Sequence, residues 1–575
     1  MAKLLRINTR TREYAFEDMG QYAGLGGRAL TSKLVLKEVP PACHPLAAEN
    51  KLVFATGMLT GTKAASSGRC SVGAKSPLTG GIKESNAGGQ FSQKMARLDV
   101  IGIVFEDKPA PDAPFMGVKI TAQGVEIFDA TGLAGLGTYA AADKLLAEAG
   151  KKAAAVVIGP AGEKCLKSAS IQFTDTEGRP ARAAGRGGLG AVMGAKRVKA
   201  LVIDDSGAPK VAYADEEAFT KANKRWVEIL KNHPVTGQGL PGYGTAILVN
   251  IINEAGALPT KNWRFGRFEN APLVSGEKMT ELMTVRGGKV KEGCHIGCVI
   301  QCSQTFVDKE GKYLSSGLEY ETVWALGPNC LIKDIDDIAR MDHVCDDMGV
   351  DTIEMGNAVG VAMDGGVIPW GDGKAAIALL KKIGSDDPLG RIIGNGTAYT
   401  AEAYGVDRVP VVKNQAMPAY DPRAVKGVGV TYATTPMGAD HTAGYAVCQN
   451  ILNCGGSVAP LGKEGQIETS KNLQVATAAV DATGLCLFVA FAVLDTPDAL
   501  QCVCDMINAR YGTSITIDDV VKLGVSILKD EYAFNEAAGF SAKDDQLPRF
   551  LSTEKLPPHN VIWDFSAEEL QGAKV

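Results

Sequence analysis

Three cysteines at regular spacing are the residues with the clearest chemistry in this sequence. Cys294, Cys298 and Cys302 follow one another at C-x3-C-x3-C spacing, among glycines, and are three of the chain's 13 cysteines. Thiolates that crowd on one short loop are the usual ligands of iron–sulfur clusters. The spacing therefore predicts a 4Fe-4S cluster whose fourth ligand comes from another part of the chain.

Other interpretations of this loop fit its spacing less well. Zinc ribbons and fingers use Cys or His pairs separated by a longer loop, and the chain contains no CxxC pair. Radical enzymes that cleave S-adenosylmethionine use C-x3-C-x2-C, which is one residue shorter in the second gap. Free cysteines are also often small buried hydrophobic residues. Zinc and a plain core position remain the alternatives to the cluster.

A glycine–arginine motif occurs twice in the first 200 residues. Gly68-Arg69 is echoed by Gly185-Arg186, 117 residues later. A glycine-rich turn that carries an arginine offers backbone N–H groups and a guanidinium together, a combination that binds phosphate. The second copy also matches a dinucleotide-binding fingerprint, but the 179–184 segment before it does not resemble a buried strand, which makes that match weak. The alternative is a pair of exposed arginines beside turns.

A second repeated motif has the form D-x-x-G-x-[CD]. Asp346 to Asp351 is echoed by Asp481 to Cys486. Asp346 falls near the end of a predicted helix that Gly349 can close with a left-handed cap. A carboxylate there opposes the helix dipole, a cost that ring N–H donors of a ligand would offset. Two copies of each motif predict a site for two copies of one ligand, and Cys486 is the candidate fourth cluster ligand; solvated acidic helix ends are the alternative.

The periodicity of the chain divides it into three regions. Residues 1–208 are predicted to be mostly strand and turn, with apolar runs at 51–56, 99–105, 154–158 and 199–203 bounded by Gly, Pro and Ser. Helical patterns begin after Asp215, with Phe219, Trp226 and Leu230 on one face, and after Asp334. We predict an α+β protein with a β-rich N-terminal cofactor-binding domain at 1–208 and two mainly α-helical domains at 209–410 and 411–575, the last ending in a polar tail.

Composition and charge exclude two classes of partner. The formal net charge is −5 and no basic stripe is present, which argues against nucleic acid as a partner. The longest apolar run, residues 485–494, is too short to span a bilayer, so we predict no membrane span. The N-terminal residues lack an apolar signal core. These features predict a cytoplasmic protein in a reducing compartment, where cysteines bind metals or stay as thiols.

With these motifs, the chain resembles the tungsten-dependent aldehyde:ferredoxin oxidoreductases over essentially its whole length. The segments that carry the resemblance, beside both D-x-x-G motifs, are ENKLVFATG at 49–57, SPLTGG at 76–81, SNAGG at 85–89, GRGGLGAVMG at 185–194 and EYET at 319–322. The resemblance implies a tungsten atom held by two pyranopterins whose phosphates are bridged by Mg²⁺. It also implies a β-rich base that carries this cofactor below two helical domains.

The resemblance assigns roles residue by residue. It implies that Arg69, Asn86 and Gly88 hold the phosphate side of one pterin and Arg186 that of the other. Asp346 and Asp351 would bind one pterin ring, and Asp481 and Leu485 the other. Cys294, Cys298, Cys302 and Cys486 would bind the 4Fe-4S cluster. The chain departs from the family pattern in the first cysteine gap, which is x3 where the family has x2, and its one E-x-x-H, at 292–295, lies in the cluster loop, which argues against an iron-bridged homodimer.

Two further residues match proton-handling positions of the family. Glu321 would act as a base on water at the metal or on the aldehyde hydrate, and His441 would hydrogen-bond the substrate oxygen. Without the resemblance, His441 is better explained as a satisfied core histidine and Glu321 as a member of an ion pair. Glu319 is an alternative to Glu321.

The function predicted from these features is oxidation of an aldehyde to its carboxylic acid, with electrons leaving through the cluster to ferredoxin or a small Fe–S subunit. One alternative is a reductase subunit of the same family that acts on an aromatic acyl-CoA thioester. The other is an iron–sulfur electron-transfer or structural protein without a pterin, which would leave the repeated motifs unexplained. Sequence does not distinguish tungsten from molybdenum, because pterin sulfurs rather than side chains hold the metal.

Overall fold

Two six-stranded sheets form the N-terminal part of the computed structural model, which describes residues 2–575. Their strands are β1 (Lys3–Asn8), β2 (Tyr14–Asp18), β3 (Leu52–Thr56), β4 (Cys70–Lys75), β5 (Ile82–Ala87), β6 (Val100–Glu106), β7 (Met116–Thr121), β8 (Gly124–Asp129), β9 (Ala154–Val157), β10 (Ile171–Phe173), β11 (Arg182–Ala184) and β12 (Val198–Asp204). Five helices accompany them: α1 (Gly27–Glu38), α2 (Phe91–Arg97), α3 (Thr138–Ala149), α4 (Pro160–Glu163) and α5 (Leu189–Ala195).

The two sheets have the same topology. Their strand orders are β2-β1-β6-β3-β4-β5 and β8-β7-β12-β9-β10-β11. In each sheet one strand of the edge hairpin pairs in parallel with the strand that comes last in sequence: β1 with β6, and β7 with β12. The other neighbouring strands are antiparallel. The N-terminal region is therefore a structural repeat, with β5 and β11 as the corresponding edge strands.

The prediction of strand and turn for this region missed its helices. In α1, Gly27 through Ser32 are all buried, and Leu34 and Val35 are buried as well. Because the polar residues Arg28, Thr31 and Ser32 are buried together with the apolar ones, the helix lacks the 3.6-residue apolar period by which helices are recognised in sequence.

Helices dominate the rest of the chain, which confirms the predicted α+β class with a β-rich N-terminal part. They are α6 (Glu216–Asn232), α7 (Leu240–Tyr243), α8 (Leu248–Glu254), α9 (Gly276–Arg286), α10 (Tyr320–Leu326), α11 (Ile335–Met348), α12 (Thr352–Asp364), α13 (Gly373–Leu380), α14 (Pro388–Gly394), α15 (Thr397–Tyr404), α16 (Lys426–Thr434), α17 (Val447–Asn450), α18 (Gln466–Thr483), α19 (Ala490–Asp495), α20 (Ala499–Tyr511), α21 (Ile517–Ala537), α22 (Phe550–Thr553) and α23 (Ala567–Gln571). Two small sheets interrupt them: β13 (Lys289–Glu292), β14 (Ser303–Val307) and β15 (Tyr313–Ser316), then β16 (Val411–Val412) and β17 (Gln415–Ala416).

The two helices predicted with their starts are present. Asp215 and Asp334 cap α6 and α11 by accepting backbone N–H groups, and the predicted apolar faces of both helices are buried. The expected polar tail instead contains α23, whose Leu570 is fully buried. Among residues 2–575, no helix is long and apolar enough to cross a membrane.

A buried arginine connects the N-terminal sheets to the C-terminal helices. The Arg28 side chain on α1 donates two hydrogen bonds of 2.8 Å to the Glu531 carboxylate on α21 and lies 3.2 Å from Asp481 on α18. Arg28 and Glu531 are almost completely buried. This ion pair fixes the end of α18, which carries the second D-x-x-G motif.

Replacement of Arg28 by methionine is expected to lower the free energy of unfolding by about 3–5 kcal/mol, because it leaves two carboxyl groups buried without their cation. Urea denaturation followed by circular dichroism measures the loss. Arg225→Ala is the matched control: its ion pair with Asp498 is half exposed, and removing it should cost at most about 1 kcal/mol. Equal losses for the two variants would contradict the role given to Arg28.

Candidate active site

A cavity of about 350 Å³ lies where the two sheets meet the helices. Most residues singled out from sequence contribute to its wall: Arg69, Asn86, Gly88, Arg186, Glu321, Asp346, Asp351, His441, Asp481 and Cys486. Leu485 is instead part of the apolar core, and Cys294, Cys298 and Cys302 lie outside the wall. The floor comes from the corresponding edge strands β5 and β11 and the residues that follow them.

The first sheet holds the second D-x-x-G motif through backbone contacts. The Arg69 N–H donates to Gly484 O at 3.1 Å, and the Cys486 N–H donates to Ser66 O at 2.9 Å. Gly484 has φ +81° and caps α18. It packs directly on Gly57, the residue after β3.

The second sheet holds the first motif at corresponding positions. The Ser170 N–H donates to Gly349 O at 2.9 Å, and the Asp351 N–H donates to Ser168 O at 3.1 Å. Gly159, which follows β9 as Gly57 follows β3, packs on Gly349. The D-x-x-G repeat thus coincides with the structural repeat of the two sheets.

The glycine–arginine echo does not follow this structural repeat. Arg69 lies just before β4, whereas Arg186 lies just after β11. The position that corresponds to Arg186 in the first sheet is the Gly88-Gly89 turn after β5, and the position that corresponds to Arg69 in the second sheet is Ser170. Both arginines of the two short motifs lie at the cavity. They do not, however, occupy corresponding positions in the two sheets.

Substitution of Gly57 by alanine is expected to destabilise the protein, because the added Cβ would lie 2.0 Å from the Gly484 backbone nitrogen. Overpacking of this kind typically costs about 1–3 kcal/mol. The free energy of unfolding in urea should fall by that amount. Gly132→Ala, where a Cβ meets nothing within 4 Å, should change it by less than about 0.5 kcal/mol. A Gly57→Ala protein as stable as the wild type would show that the two segments are not in contact.

The two predicted phosphate-binding arginines are held by neighbouring groups. Arg69 donates from Nε to the Asn86 side-chain oxygen and from Nη2 to Asn86 O at 3.0 Å. Gly88 stands against this guanidinium, since a Cβ there would lie 3.1 Å from Arg69 Nη1. Arg186 contacts Asp351 Oδ2 at 3.2 Å and donates to Ala439 O at 2.6 Å. Both guanidinium groups are thereby oriented at the cavity wall.

The helix-end aspartates are buried carboxyl groups with few protein donors: Asp481 pairs with Arg28, and Asp346 has weaker partners. Asp346 has only long contacts, with Gln172 Nε2 at 3.4 Å and Tyr139 OH at 3.5 Å, and burial raises its pKa well above the ordinary value. Burial and the nearby Glu84 raise the pKa of Asp481 to about 8, although Arg28 opposes the shift. Carboxyl groups that face a cavity with so few protein donors fit a ligand that brings N–H donors of its own.

Four cysteine thiols converge below this cavity. Cys294, Cys302 and Cys486 are buried and Cys298 is partly exposed. The ligand atoms of Cys294, His295 and Cys298 lie within 4.8 Å of one another. The pKa of Cys298 is raised, first by its hydrogen bond with Cys294, then by burial and by the charges of Cys302 and Cys486. Cys302 and Cys486 lie outside this close group but near enough to Cys298 to influence its pKa, and the four thiols together offer the donor set of a cubane cluster.

The cluster loop is attached to the first sheet. The Gly89 N–H donates to Cys294 O at 3.1 Å, and the Ser66 N–H donates to Gly297 O at 2.9 Å. Ser66 O also accepts from the Cys486 N–H. The backbone at Ser66 thus brings Cys486 to the loop, a contact between distant segments that local spacing does not encode.

Glu321 and His441 face each other in the cavity wall. His441 Nε2 lies 3.4 Å from Glu321 Oε1, and Glu321 Oε2 accepts from the Ala419 N–H at 2.9 Å. Burial raises the pKa of Glu321 to about 8 and lowers that of His441 to about 4. Among residues 2–575, Glu321 Oε1 and His441 Nδ1 have no hydrogen-bond partner. A neutral acid and a neutral imidazole with open positions can bind and exchange a proton with a small polar ligand.

Several charged residues of the site were not identified from sequence. Arg182 on β11 lies 3.9 Å from Glu319, donates to Ser303 Oγ and is close enough to Cys294 for each to influence the other's pKa. Asp440, next to His441, pairs with Lys83 at 3.1 Å. Arg182 and Asp440 belong to no recognisable sequence motif, so the sequence did not indicate either residue. The position of Asp440 next to His441 was the available clue.

A second group of possible metal ligands lies away from the cavity. His233, Cys454 and Asp495 place their ligand atoms within 4.8 Å. The His233 Nδ1 accepts from the Val235 N–H at 3.3 Å, so Nε2 carries the proton and donates to Asp495 at 3.0 Å. A protonated Nε2 cannot coordinate a metal, and we interpret the group as a hydrogen-bonded link between α6 and α19.

A group of four thiols beside a cavity with a buried carboxyl–imidazole pair is an arrangement suited to a redox enzyme. Comparison with known families identifies which one. The family model of the aldehyde ferredoxin oxidoreductase N-terminal domain matches residues 4–205, and the model of domains 2 and 3 matches residues 221–568. The chain belongs to the aldehyde ferredoxin oxidoreductase family of oxidoreductases.

Two relatives match over nearly the full chain and a third over about three quarters of it. The tungsten-containing aldehyde ferredoxin oxidoreductase of Pyrococcus furiosus is 36% identical over 577 aligned positions, covering 96% of this chain and 92% of that protein. The protein of the same name from Thermococcus kodakarensis is also 36% identical with the same coverage. A WOR-like subunit of an aliphatic sulfonate oxidoreductase from P. furiosus is 27% identical and covers 73% of this chain and 71% of that protein.

The fold is shared with a benzoyl coenzyme A reductase subunit complex. The structure of the active site complex BamBC of benzoyl coenzyme A reductase with 1,5-dienoyl-CoA superposes with a TM-score of 0.80, covering 100% of this chain and 93% of that chain. The sequence identity is 20%, so this likeness supports the fold alone.

Proposed function

We propose that this protein oxidises aldehydes to carboxylic acids with a tungsten–bis(pyranopterin) cofactor and passes the electrons through a 4Fe-4S cluster to ferredoxin or a small Fe–S partner subunit. The observation that carries the proposal is the convergence on one cavity of Cys486, the helix-end carboxyl groups of both D-x-x-G motifs, and the Glu321–His441 pair. The 36% identity to tungsten-containing aldehyde ferredoxin oxidoreductases supports it.

The residues present fit these groups. Asp346 and Asp351 would hold one pterin ring and Asp481, with the backbone at Leu485, the other. Arg69, Asn86 and Gly88 on one side and Arg186 on the other would hold the phosphates, whose charge Mg²⁺ would help to neutralise. Cys294, Cys298, Cys302 and Cys486 would bind the cluster. When bound, the tungsten centre would supply the acceptor for the two electrons of aldehyde oxidation.

The proton chemistry falls to Glu321 and His441. In its ionised form Glu321 accepts a proton from water or from the aldehyde hydrate through Oε1, the oxygen without a partner. His441 is neutral across physiological pH and offers a ring N–H to the substrate oxygen. Both groups are held in place, Glu321 by the Ala419 N–H and His441 between Tyr420 and Tyr445.

A second candidate is reduction of an aromatic acyl-CoA thioester, a reaction carried out on the same fold by benzoyl coenzyme A reductase. A CoA ester carries several phosphates that need cations. Arg69 and Arg186 would be occupied by the pterin phosphates and Arg182 lies 3.9 Å from Glu319, so no cavity arginine is left for a CoA phosphate, which favours the aldehyde. Assay of the same preparation with an aldehyde and with an aromatic acyl-CoA decides between the two.

Elemental analysis of anaerobically purified protein tests the cofactor assignment. About one tungsten and about four iron atoms per chain, with Mg²⁺, are expected together with viologen reduction by aldehydes. Molybdenum in place of tungsten would change the metal but not the class. Iron without either metal would leave only the cluster, and zinc without iron would contradict the assignment of the four cysteines.

A further inference from the structure

The part of the cavity beside Glu321 and His441 is built from aromatic rings. Tyr320, Tyr420 and Tyr445 line it, and their ring centroids lie 5.3 Å (Tyr320–Tyr420) and 5.6 Å (Tyr420–Tyr445) apart. The His441 ring is 6.1 Å from each of Tyr420 and Tyr445. Phe488 completes the wall and is stacked on Phe491, which packs edge-on against Tyr445. These spacings are those of aromatic pairs in direct contact.

The polar atoms of these rings are largely satisfied by the protein. The Tyr320 hydroxyl donates to Ala419 O at 2.8 Å. The hydroxyls of Tyr420 and Tyr445 are 2.6 Å apart and share one hydrogen bond, so the pair offers the cavity at most one further O–H proton. A ligand at this end therefore meets mainly the partly exposed Phe488 ring and the edge of Tyr445, and its free polar partners are Glu321 and His441.

Arg69 and Arg186 would be occupied by the pterin phosphates of the proposed cofactor, which leaves no cavity arginine free for a charged substrate. Arg186 uses Nε, Nη1 and Nη2 on Asp351, Ala439 O and Ala416 O. Arg182 lies between Glu319 and Ser303, and Arg69 is hydrogen-bonded to Asn86. A phosphate or carboxylate carried into the aromatic end would lose its hydration without gaining a partner.

We propose that the substrate is an uncharged aromatic aldehyde, and that Tyr420, Tyr445 and Phe488 determine this specificity by packing against its ring. The inference rests on the proposed aldehyde oxidation and names the substrate class of the same site. A flat ring can stack on Phe488 or meet the tyrosines edge-on, whereas a short aliphatic aldehyde leaves these contacts unmade.

The test compares kcat/KM of the loaded enzyme for benzaldehyde, acetaldehyde and 4-carboxybenzaldehyde. We expect benzaldehyde to exceed each of the others by at least about tenfold, a discrimination that an apolar pocket can supply. Phe488→Ala should lower kcat/KM for benzaldehyde about tenfold and that for acetaldehyde less than about threefold, and Phe488→Tyr should restore the preference. Equal values for benzaldehyde and acetaldehyde, or a Phe488→Ala loss that is the same for both, would overturn the inference.

Binding of an unreactive probe separates this inference from the proposed function. Saturation-transfer NMR on the holoenzyme should show benzamide but not acetamide bound, and the benzamide signal should weaken in Phe488→Ala. If no aldehyde is oxidised, the proposed function fails, and benzamide binding still decides whether the aromatic end selects rings. Absence of benzamide binding in an enzyme that oxidises aldehydes would refute the aromatic specificity alone.

Discussion

Glu321→Gln is expected to lower kcat/KM for aldehyde oxidation by about 10²–10⁴-fold, the usual contribution of a positioned acid–base group. Glutamine preserves the shape of the side chain and its contact with the Ala419 N–H, but it cannot take up a proton. Steady-state assay with a viologen acceptor measures the loss, and unchanged tungsten and iron contents would show that the cofactors are still bound.

The pH dependence should identify the same residue. Burial raises the pKa of Glu321 from 4.5 to about 8, so the carboxyl group is mostly protonated at pH 7 and ionises as the pH rises. The ionised form is the base, and kcat/KM should therefore rise about tenfold per pH unit below pH 8 and level off above it. His441, with a pKa lowered to about 4, stays neutral throughout this range. This rise of kcat/KM with pH should be absent in Glu321→Gln.

Glu319→Gln is the matched control. Glu319 lines the same cavity two residues earlier in the chain, is partly exposed, and accepts a hydrogen bond from Thr245 Oγ1. It lies beside Arg182 on the cluster side rather than beside His441. Its replacement should lower kcat/KM by less than about tenfold, and kcat/KM should still rise with pH below pH 8. A larger loss in Glu319→Gln than in Glu321→Gln would transfer the role of base to Glu319.

Cys486→Ala is expected to remove most of the iron from the anaerobically purified protein, lowering it from about four atoms per chain to less than about two, because a cubane cluster needs its fourth thiolate. Electron transfer from aldehyde to viologen should fall with the iron. Iron analysis and the visible absorption of the cluster measure the effect, and Cys294→Ala should behave in the same way.

Cys502→Ala controls for the loss of a buried thiol. Cys502 is 5% exposed on α20, packs in the apolar core and does not line the cavity. Its replacement should leave the iron content unchanged. Iron retained in Cys486→Ala at the wild-type level would show that another residue is the fourth ligand, and the buried His295 beside the loop would then be the first to examine.

Features carried by neighbouring residues could be predicted from the sequence alone. Asp215 and Asp334 start helices because their carboxylates accept the first free backbone N–H groups, and apolar residues at helical spacing continue them. Gly349 and Gly484 end helices because they adopt positive φ without a Cβ penalty. The cysteine loop was recognisable because three of the four candidate cluster ligands lie close together in the sequence, at regular spacing.

The second D-x-x-G motif indicated Cys486, whereas the placement of Glu321 and His441 in the same site required the resemblance to a known family. Glu321 and His441 are single residues without a local pattern, and isolated buried histidines and carboxylates are common in cores. The structure brings them together through contacts between segments far apart in the chain, such as Ser66 with Cys486 and Ala419 with Glu321. Periodicity and spacing carry no information about such contacts.

Other properties were decided by the tertiary structure alone. The matching topology of the two sheets depends on pairing between distant strands, and it shows that Arg69 and Arg186 are not equivalent positions. Helix α1 was missed because burial of its polar residues together with the apolar ones removes the amphipathic pattern. The pKa of Glu321 and the aromatic end of the cavity arise from burial and packing. The sequence by itself determined which groups can do chemistry, whereas the enclosure that sets their protonation and their choice of substrate exists only in the folded chain, because desolvation depends on what surrounds a group in space.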